Sequence, residues 1–182
     1  MKSKGKSARP ARNRSAAKAP SSVDRALALA LLKKFRLIIT VAKRHYRWVE
    51  EQCGINGAQL WVLWEIDHAP GLRVSELAAA MAMHQSTVSN LIEKLARAKL
   101  LRRARDDADQ RVVALHLTAA GRALLKRAPQ PARGRLHEAL FNLPQHSLAA
   151  LDTLLGGVLH EMNPDDRAPM HRPLAELLAG KP

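Results

Sequence analysis

The chain has 182 residues, enough for one domain of ordinary size with helical extensions, and its 47% hydrophobic content allows a real core. Thirty Lys and Arg against 16 Asp and Glu give a formal net charge of +14, which puts polyanions first among candidate partners. A single cysteine excludes an internal disulfide framework and suits a reducing cytosol, and no apolar run is long enough to span a bilayer.

Residues 1–20, MKSKGKSARPARNRSAAKAP, hold seven basic residues and no acid, half of the excess charge. They lack both the apolar core of a secretory leader and the large apolar residues of an amphipathic helix, so they read as a disordered basic arm. Ser21 to Asp24 fits a capping box. Beyond it Leu27, Leu31, Phe35, Ile38, Ala42, His45 or Tyr46, Val49 and Cys53 recur every three or four residues. That stripe is too long to bury inside a small domain. Residues 21–56 are therefore expected to be an N-terminal dimerisation helix, packed along a long helix of a second copy.

The stretch GING at 54–57 breaks that helix, and AQLWVLWEIDH predicts a short second one, stopped by Ala69-Pro70-Gly71. Val74, Leu77, Ala78 and Met81 predict a third. Three residues later QSTVSNLIEKL places Val88, Leu91, Ile92 and Leu95 on one helical face and Ser86, Ser89, Asn90, Glu93 and Arg97 on the other. Two short helices with so brief a link describe a helix-turn-helix.

Ser, Thr and Asn are mediocre helix formers, so their presence in the first two turns needs a reason. A helix entering a DNA major groove needs short donors and acceptors near its N-terminus, and Gln85, Ser86, Thr87, Ser89 and Asn90 supply them. The propensity cost, a few tenths of a kcal/mol per residue, is small beside ~1–3 kcal/mol per good base contact. An ordinary surface helix can carry such a face, but the segment that follows favours the DNA reading. Residues 100–105 and 111–117 form a hairpin around Asp106 to Asp109, with Val113, Leu115 and Leu117 on one side. Arg102, Arg103 and Arg105 crowd its first strand. Arg111 opens the second, where it can enter the minor groove, with Asp109 orienting it through a bidentate pair. The competing reading is a solvated salt-bridge cluster of little energetic weight.

The expected fold is mainly α with a small β wing: a winged helix-turn-helix core at 57–118 between long N- and C-terminal dimerisation helices. Thr118 caps the next helix, which Pro129 and Pro131 interrupt before it resumes at Arg135. Pro144 opens a last helix with an apolar stripe of Leu148, Leu151, Leu155, Val158 and Met162. Residues 163–182, with four prolines, are expected to be a mostly irregular tail.

Other signals are weak. Cys53 is read as a small buried hydrophobe rather than a peroxide sensor, which needs a lowered thiol pKa. Eight histidines show no metal-ligand spacing, so neither a metal nor a cofactor is expected. Trp48, Trp61 and Trp64 are assigned mostly to core, with an aromatic ligand pocket as the alternative. No catalytic motif is found, so no catalytic residue is assigned and the chain is not expected to be an enzyme.

The segment VSELAAAMAMHQSTVSNLIEKLARAKLLRRARDDADQRVVALHLTAAGRALL resembles the DNA-binding core of MarR-type regulators, the multiple antibiotic resistance regulators. The matching features are SELA, STVSNLIEKL and the wing RD-x-x-D-x-R leading to LT-x-x-G-R, over roughly residues 72–125. The resemblance implies a homodimer built from the first helix and the last two, which assigns residues 119–162 to dimerisation, and a pseudo-palindromic operator. It also implies a recognition helix at 85–98, Arg111 in the minor groove, and release by small, often anionic aromatic effectors. Three positions depart from the pattern: Lys99 replaces a helix-ending glycine, His84 a capping Ser, Asn or Asp, and Gln110 a common arginine.

These readings converge on a cytoplasmic, nucleoid-associated transcriptional regulator that binds double-stranded DNA, most simply a ligand-responsive repressor. The main alternative is an architectural DNA-coating protein with little sequence preference. An RNA-binding role lacks the stacking aromatics of common RNA modules.

Overall fold

A computed structural model describes residues 22–105 and 113–179. In chain order the elements are α1 (Ser22–Cys53), α2 (Gly57–His68), α3 (Val74–Ala80), α4 (Gln85–Arg97), β1 (Leu101–Arg105) and β2 (Val113–Leu117). They continue with α5 (Ala119–Arg127), α6 (Arg135–Phe141), α7 (Gln145–Met162), a 3-10 turn (Ala168–His171) and α8 (Leu174–Ala179). The basic arm, the Ser21 cap and the wing tip with Asp109, Gln110 and Arg111 lie outside the described residues.

The chain divides into two units at the Phe35–Arg36 boundary. In the first, Leu27, Leu31 and Phe35 are 59%, 45% and 39% exposed. In the second, the same helical stripe sinks into the core: Ala42, His45, Val49 and Cys53 are all buried. The stripe read from the sequence as one surface is thus exposed through Ile38, itself 42% exposed, and buried from Ala42 onward.

The core of the second unit gathers Leu60, Leu63 and Ile66 from α2, Leu77 from α3, Met81, and Leu115 from β2, together with Val88, Leu91, Ile92 and Leu95 from α4. The α4 residues are those whose spacing predicted an inward face. Asn56 sets the start of α2: its Oδ1 accepts from the Gln59 amide at 2.9 Å, while the Asn56 amide donates to Gln59 Oε1 at 3.0 Å.

The two strands pair antiparallel, Leu101 with Leu117, Arg103 with Leu115 and Arg105 with Val113. The loop after α2 ties them down, with Gly71 N–H donating to Leu115 O and Leu115 N–H to Leu72 O, both at 3.0 Å. Val113 departs from expectation. It is 40% exposed while Ala114 is buried, because Val113 sits in the outermost strand pair, beyond the cover of the helices.

Lys99 takes the left-handed conformation, φ 57°. Leu100 N–H closes onto Leu95 O at 2.9 Å, so α4 ends in the Schellman arrangement that usually has glycine at this position. A side chain there costs about 1 kcal/mol. Lys99→Gly is expected to raise the melting temperature by about 2–4 °C in calorimetry. An unchanged or lower value would mean that the lysine is not strained.

The C-terminal region corrects one expectation. Among the described residues 163–179, the 3-10 turn and α8 supply ten helical residues, and Pro173 and Ala175 are buried, which is more order than a mostly irregular tail would have. Prolines taken as helix breakers stand instead at helix entrances. Pro169 lies in the first turn of the 3-10 segment, and Pro173 O accepts from the amides of Glu176 and Leu177. Proline is at home in these positions, where its missing N–H is not needed.

Candidate nucleic-acid interface

Burial of Val88, Leu91, Ile92 and Leu95 fixes the rotation of α4 about its own axis, and this decides which side chains meet solvent. Gln85, Ser86 and Asn90 are exposed, and Thr87 and Ser89 are half-buried at the flanks of the same face. His84 precedes the helix in extended backbone (φ −65°, ψ 141°) and makes no side-chain cap. Further along, Arg97 Nη2 pairs with Glu93 Oε1 at 3.1 Å, both side chains well exposed. Such a pair adds little stability, yet it matches the one acid on this face with a cation.

On the wing, Arg102 and Arg103 are both exposed, opposite His116 and Leu115 in the register. Neighbouring strand residues point to opposite faces, so these two guanidinium groups serve different sides of the ribbon. Arg105 closes β1 opposite Val113. Asp109 and Arg111, the expected orienting pair, lie outside the described residues.

Behind the interface the tryptophans separate. Trp48 is 45% exposed, its ring edge-on to that of His45 at 6.3 Å, so two of the three tryptophans join the core. Trp61 and Trp64 pack partly buried against the core. Trp61 Nε1 donates to Glu65 Oε1 at 2.6 Å, and the Arg133 guanidinium lies 4.2 Å from the Trp64 ring centre. The His137 ring sits 4.7 Å from Trp61 and 4.1 Å from Phe141. Burial, helped by the Arg133 charge, pushes the His137 pKa down. Trp61, Met83, Arg133, Leu136, His137 and Leu140 line part of a cavity of about 160 Å³. No motif in the sequence marks Arg133 or His137, whose contacts arise only once the break after α5 turns α6 back towards α2.

Cys53 is buried, and burial pushes its thiol pKa up against an opposing influence from Arg127. A thiol held protonated is the opposite of what peroxide sensing requires. Among the described residues there is no group of three or more His, Cys, Asp or Glu arranged to hold a metal ion. No described helix is long and apolar enough to cross a membrane.

Helices α3 and α4 with their short link, the supporting α2 and the β1–β2 ribbon together define a winged helix-turn-helix protein. Residues 54–112 match the family model for the MarR family. The chain is 25% identical to the uncharacterized HTH-type transcriptional regulator YsmB of Bacillus subtilis, over 71% of this chain and 89% of that protein. It is 31% identical to the HTH-type transcriptional regulator MgrA of Staphylococcus aureus, over 56% of this chain and 65% of that one. The crystal structure of YusO protein from Bacillus subtilis shares the fold, with a TM-score of 0.51 at 23% identity, covering 77% of this chain and 99% of that one. Over this DNA-binding core the chain is similar to the MarR family of winged-helix proteins.

Proposed function

We propose that the chain is a transcriptional regulator, not an enzyme, that binds double-stranded DNA sequence-specifically as a homodimer. The observation that carries this reading is the outward face of α4, with Gln85, Ser86 and Asn90 exposed over four buried residues and Arg102 and Arg103 exposed on the wing beside it. In this reading Gln85, Ser86, Thr87, Ser89 and Asn90 meet base edges and phosphates in the major groove. Arg102, Arg103 and Arg105 hold the backbone. Arg111, oriented by Asp109, reads the minor groove. Two copies related by a two-fold axis then require a pseudo-palindromic operator.

The dimer has its own support. Leu154, Leu155, Val158, Leu159 and Met162 leave an apolar face of α7 exposed, and the upper part of α1 exposes Leu27, Leu29, Leu31 and Leu32. Apolar faces of this extent are uncommon on monomers. The protein then works in the cytoplasm, on the nucleoid, as a repressor. The cavity beside Trp61 and Arg133 has room for one aromatic ring and a cation for its carboxylate, which suits a small anionic aromatic effector.

Selection of bound duplexes from a randomised pool tests the reading. The wild-type chain is expected to enrich a palindrome and to prefer it over random DNA by ~10³-fold or more. Asn90→Ala is expected to relax the preferred bases, and Arg111→Ala to weaken binding and shift preference in A·T-rich flanks. Enrichment of no sequence would favour a DNA-coating protein instead, and unchanged binding by both variants would refute this docking.

A further inference from the structure

The C-terminal segment after α7 has no part in the proposed DNA contacts, yet its placement is specific. Ala175 is buried against the N-terminus of α2, where a Cβ built on Gly57 would lie 3.5 Å from Ala175 Cβ and run into the Tyr46 ring. Glycine at 57 is what lets the tail and Tyr46 close over that point. Pro173 is buried beside it, so the chain entering α8 is pinned. The pin sends the preceding 3-10 turn to the recognition helix, where the His171 ring lies 4.4 Å from that of His84, the residue immediately before Gln85.

Three features say that this turn extends the α4 surface and does not hide it. Gln85, Ser86 and Asn90 remain exposed with the tail in place, and His84 and His171 are exposed as well. Residues 167–172 read RAPMHR, two arginines and no acid, and neither arginine forms an ion pair among the described residues. Asp165 and Asp166 precede this segment, and the Asp166 carboxylate is turned to the Ala168 amide at 2.8 Å. On the other side, Arg172 lines an open cleft with Lys43, Arg47 and Lys94, four cations against Glu50 and Glu176. Lys94 stands one helical turn beyond Asn90 on α4.

We infer that residues 167–172 are a further DNA-contacting element, anchored through Pro173 and Ala175, which places His171 and Arg172 on backbone phosphates beside the first turn of the recognition helix. The inference rests on the proposed DNA-binding function and adds to it a second basic contact, separate from the wing. Phosphate contacts of this kind position a protein without reading sequence. They therefore raise affinity uniformly and leave base preference alone.

The test compares the wild-type chain with His171→Ala/Arg172→Ala by fluorescence anisotropy, on a short duplex selected with the wild-type chain and on a scrambled duplex, across a salt series. Both side chains are exposed, so the melting temperature serves as a control and should not move. The double variant is expected to bind both duplexes about tenfold more weakly, with a salt slope smaller by about one to two and the ratio between duplexes unchanged. Ala175→Asp, which unseats the anchor, should weaken binding in the same uniform way. Wild-type binding that the double variant leaves unaltered in affinity and slope would overturn this inference alone, and tighter binding by the variant would show that the tail shields the helix. Failure of the wild-type chain to prefer any duplex would instead defeat the proposed function.

Discussion

Gly121→Ala is expected to be the most destabilising small substitution at the wing stem, lowering the melting temperature by roughly 6–12 °C, equivalent to about 3 kcal/mol. A Cβ at Gly121 would collide with the carbonyl oxygen of Leu100 and lie 3.0 Å from its carbonyl carbon. Both are backbone atoms, which cannot turn aside as a flexible side chain can. The same carbonyl accepts from the Thr118 amide at 3.1 Å, while the Thr118 hydroxyl donates chiefly to Lys99 O at 2.8 Å, with Leu100 O at 3.2 Å, and its Oγ1 accepts from the Gly121 amide at 3.0 Å. Moving Leu100 aside therefore loosens the cap of α5 and drags the first residue of β1 with it. Arg102 and Arg103 ride on that strand. The variant should lose DNA affinity at temperatures where circular dichroism still reports helix. A melting temperature within a degree of wild type would show that the stem is not closed around this glycine.

That contact gives the LT-x-x-G-R element a physical meaning that spacing alone does not provide. The sequence shows a threonine able to cap a helix and a glycine three residues later. It does not show that the glycine faces the backbone of a residue twenty-one positions earlier. Elsewhere the legible features are local. The inward face of α4, the cap at Thr118, the break between α5 and α6 and the pairing of the wing strands all follow from periodicity or from proline, and the structure has each of them. The left-handed Lys99 was legible in a different way, as a departure from the family's glycine whose backbone requirement persists with the wrong residue in place.

The illegible features depend on neighbours distant in sequence. A helical stripe says that a face is apolar and not what covers it, so Ala42 and Val49 looked the same as Leu31 although only the first two are buried. The tail was misread because proline disfavours a helix interior but suits a helix start, and composition does not tell the two apart. Arg133 and His137 carry no motif, and they meet Trp64 and Trp61 only through the turn that the α5–α6 break creates.

Replacing Leu155 and Val158 together by aspartate is expected to leave a folded monomer with operator affinity lower by about 100-fold or more. Both residues are exposed on the single chain, 37% and 46%, so the substitution removes little from its own core. In a dimer that buries this face, each new carboxylate would lose its water without gaining a partner, at a cost of several kcal/mol per ion. Association would not survive that. A dimer places two recognition helices on one duplex, and the second engagement then proceeds at the high effective concentration set by the first; losing it forfeits about 10²- to 10⁴-fold in avidity. The monomer should still bind, weakly, with the base preference of one half-site, since Gln85, Ser86 and Asn90 are untouched. Sedimentation equilibrium reads the assembly and anisotropy on full and half operators reads the avidity. A double variant that remains dimeric would remove α7 from the interface. A monomer that keeps full operator affinity would sever dimerisation from recognition, and the two-fold docking of α4 would fall with it.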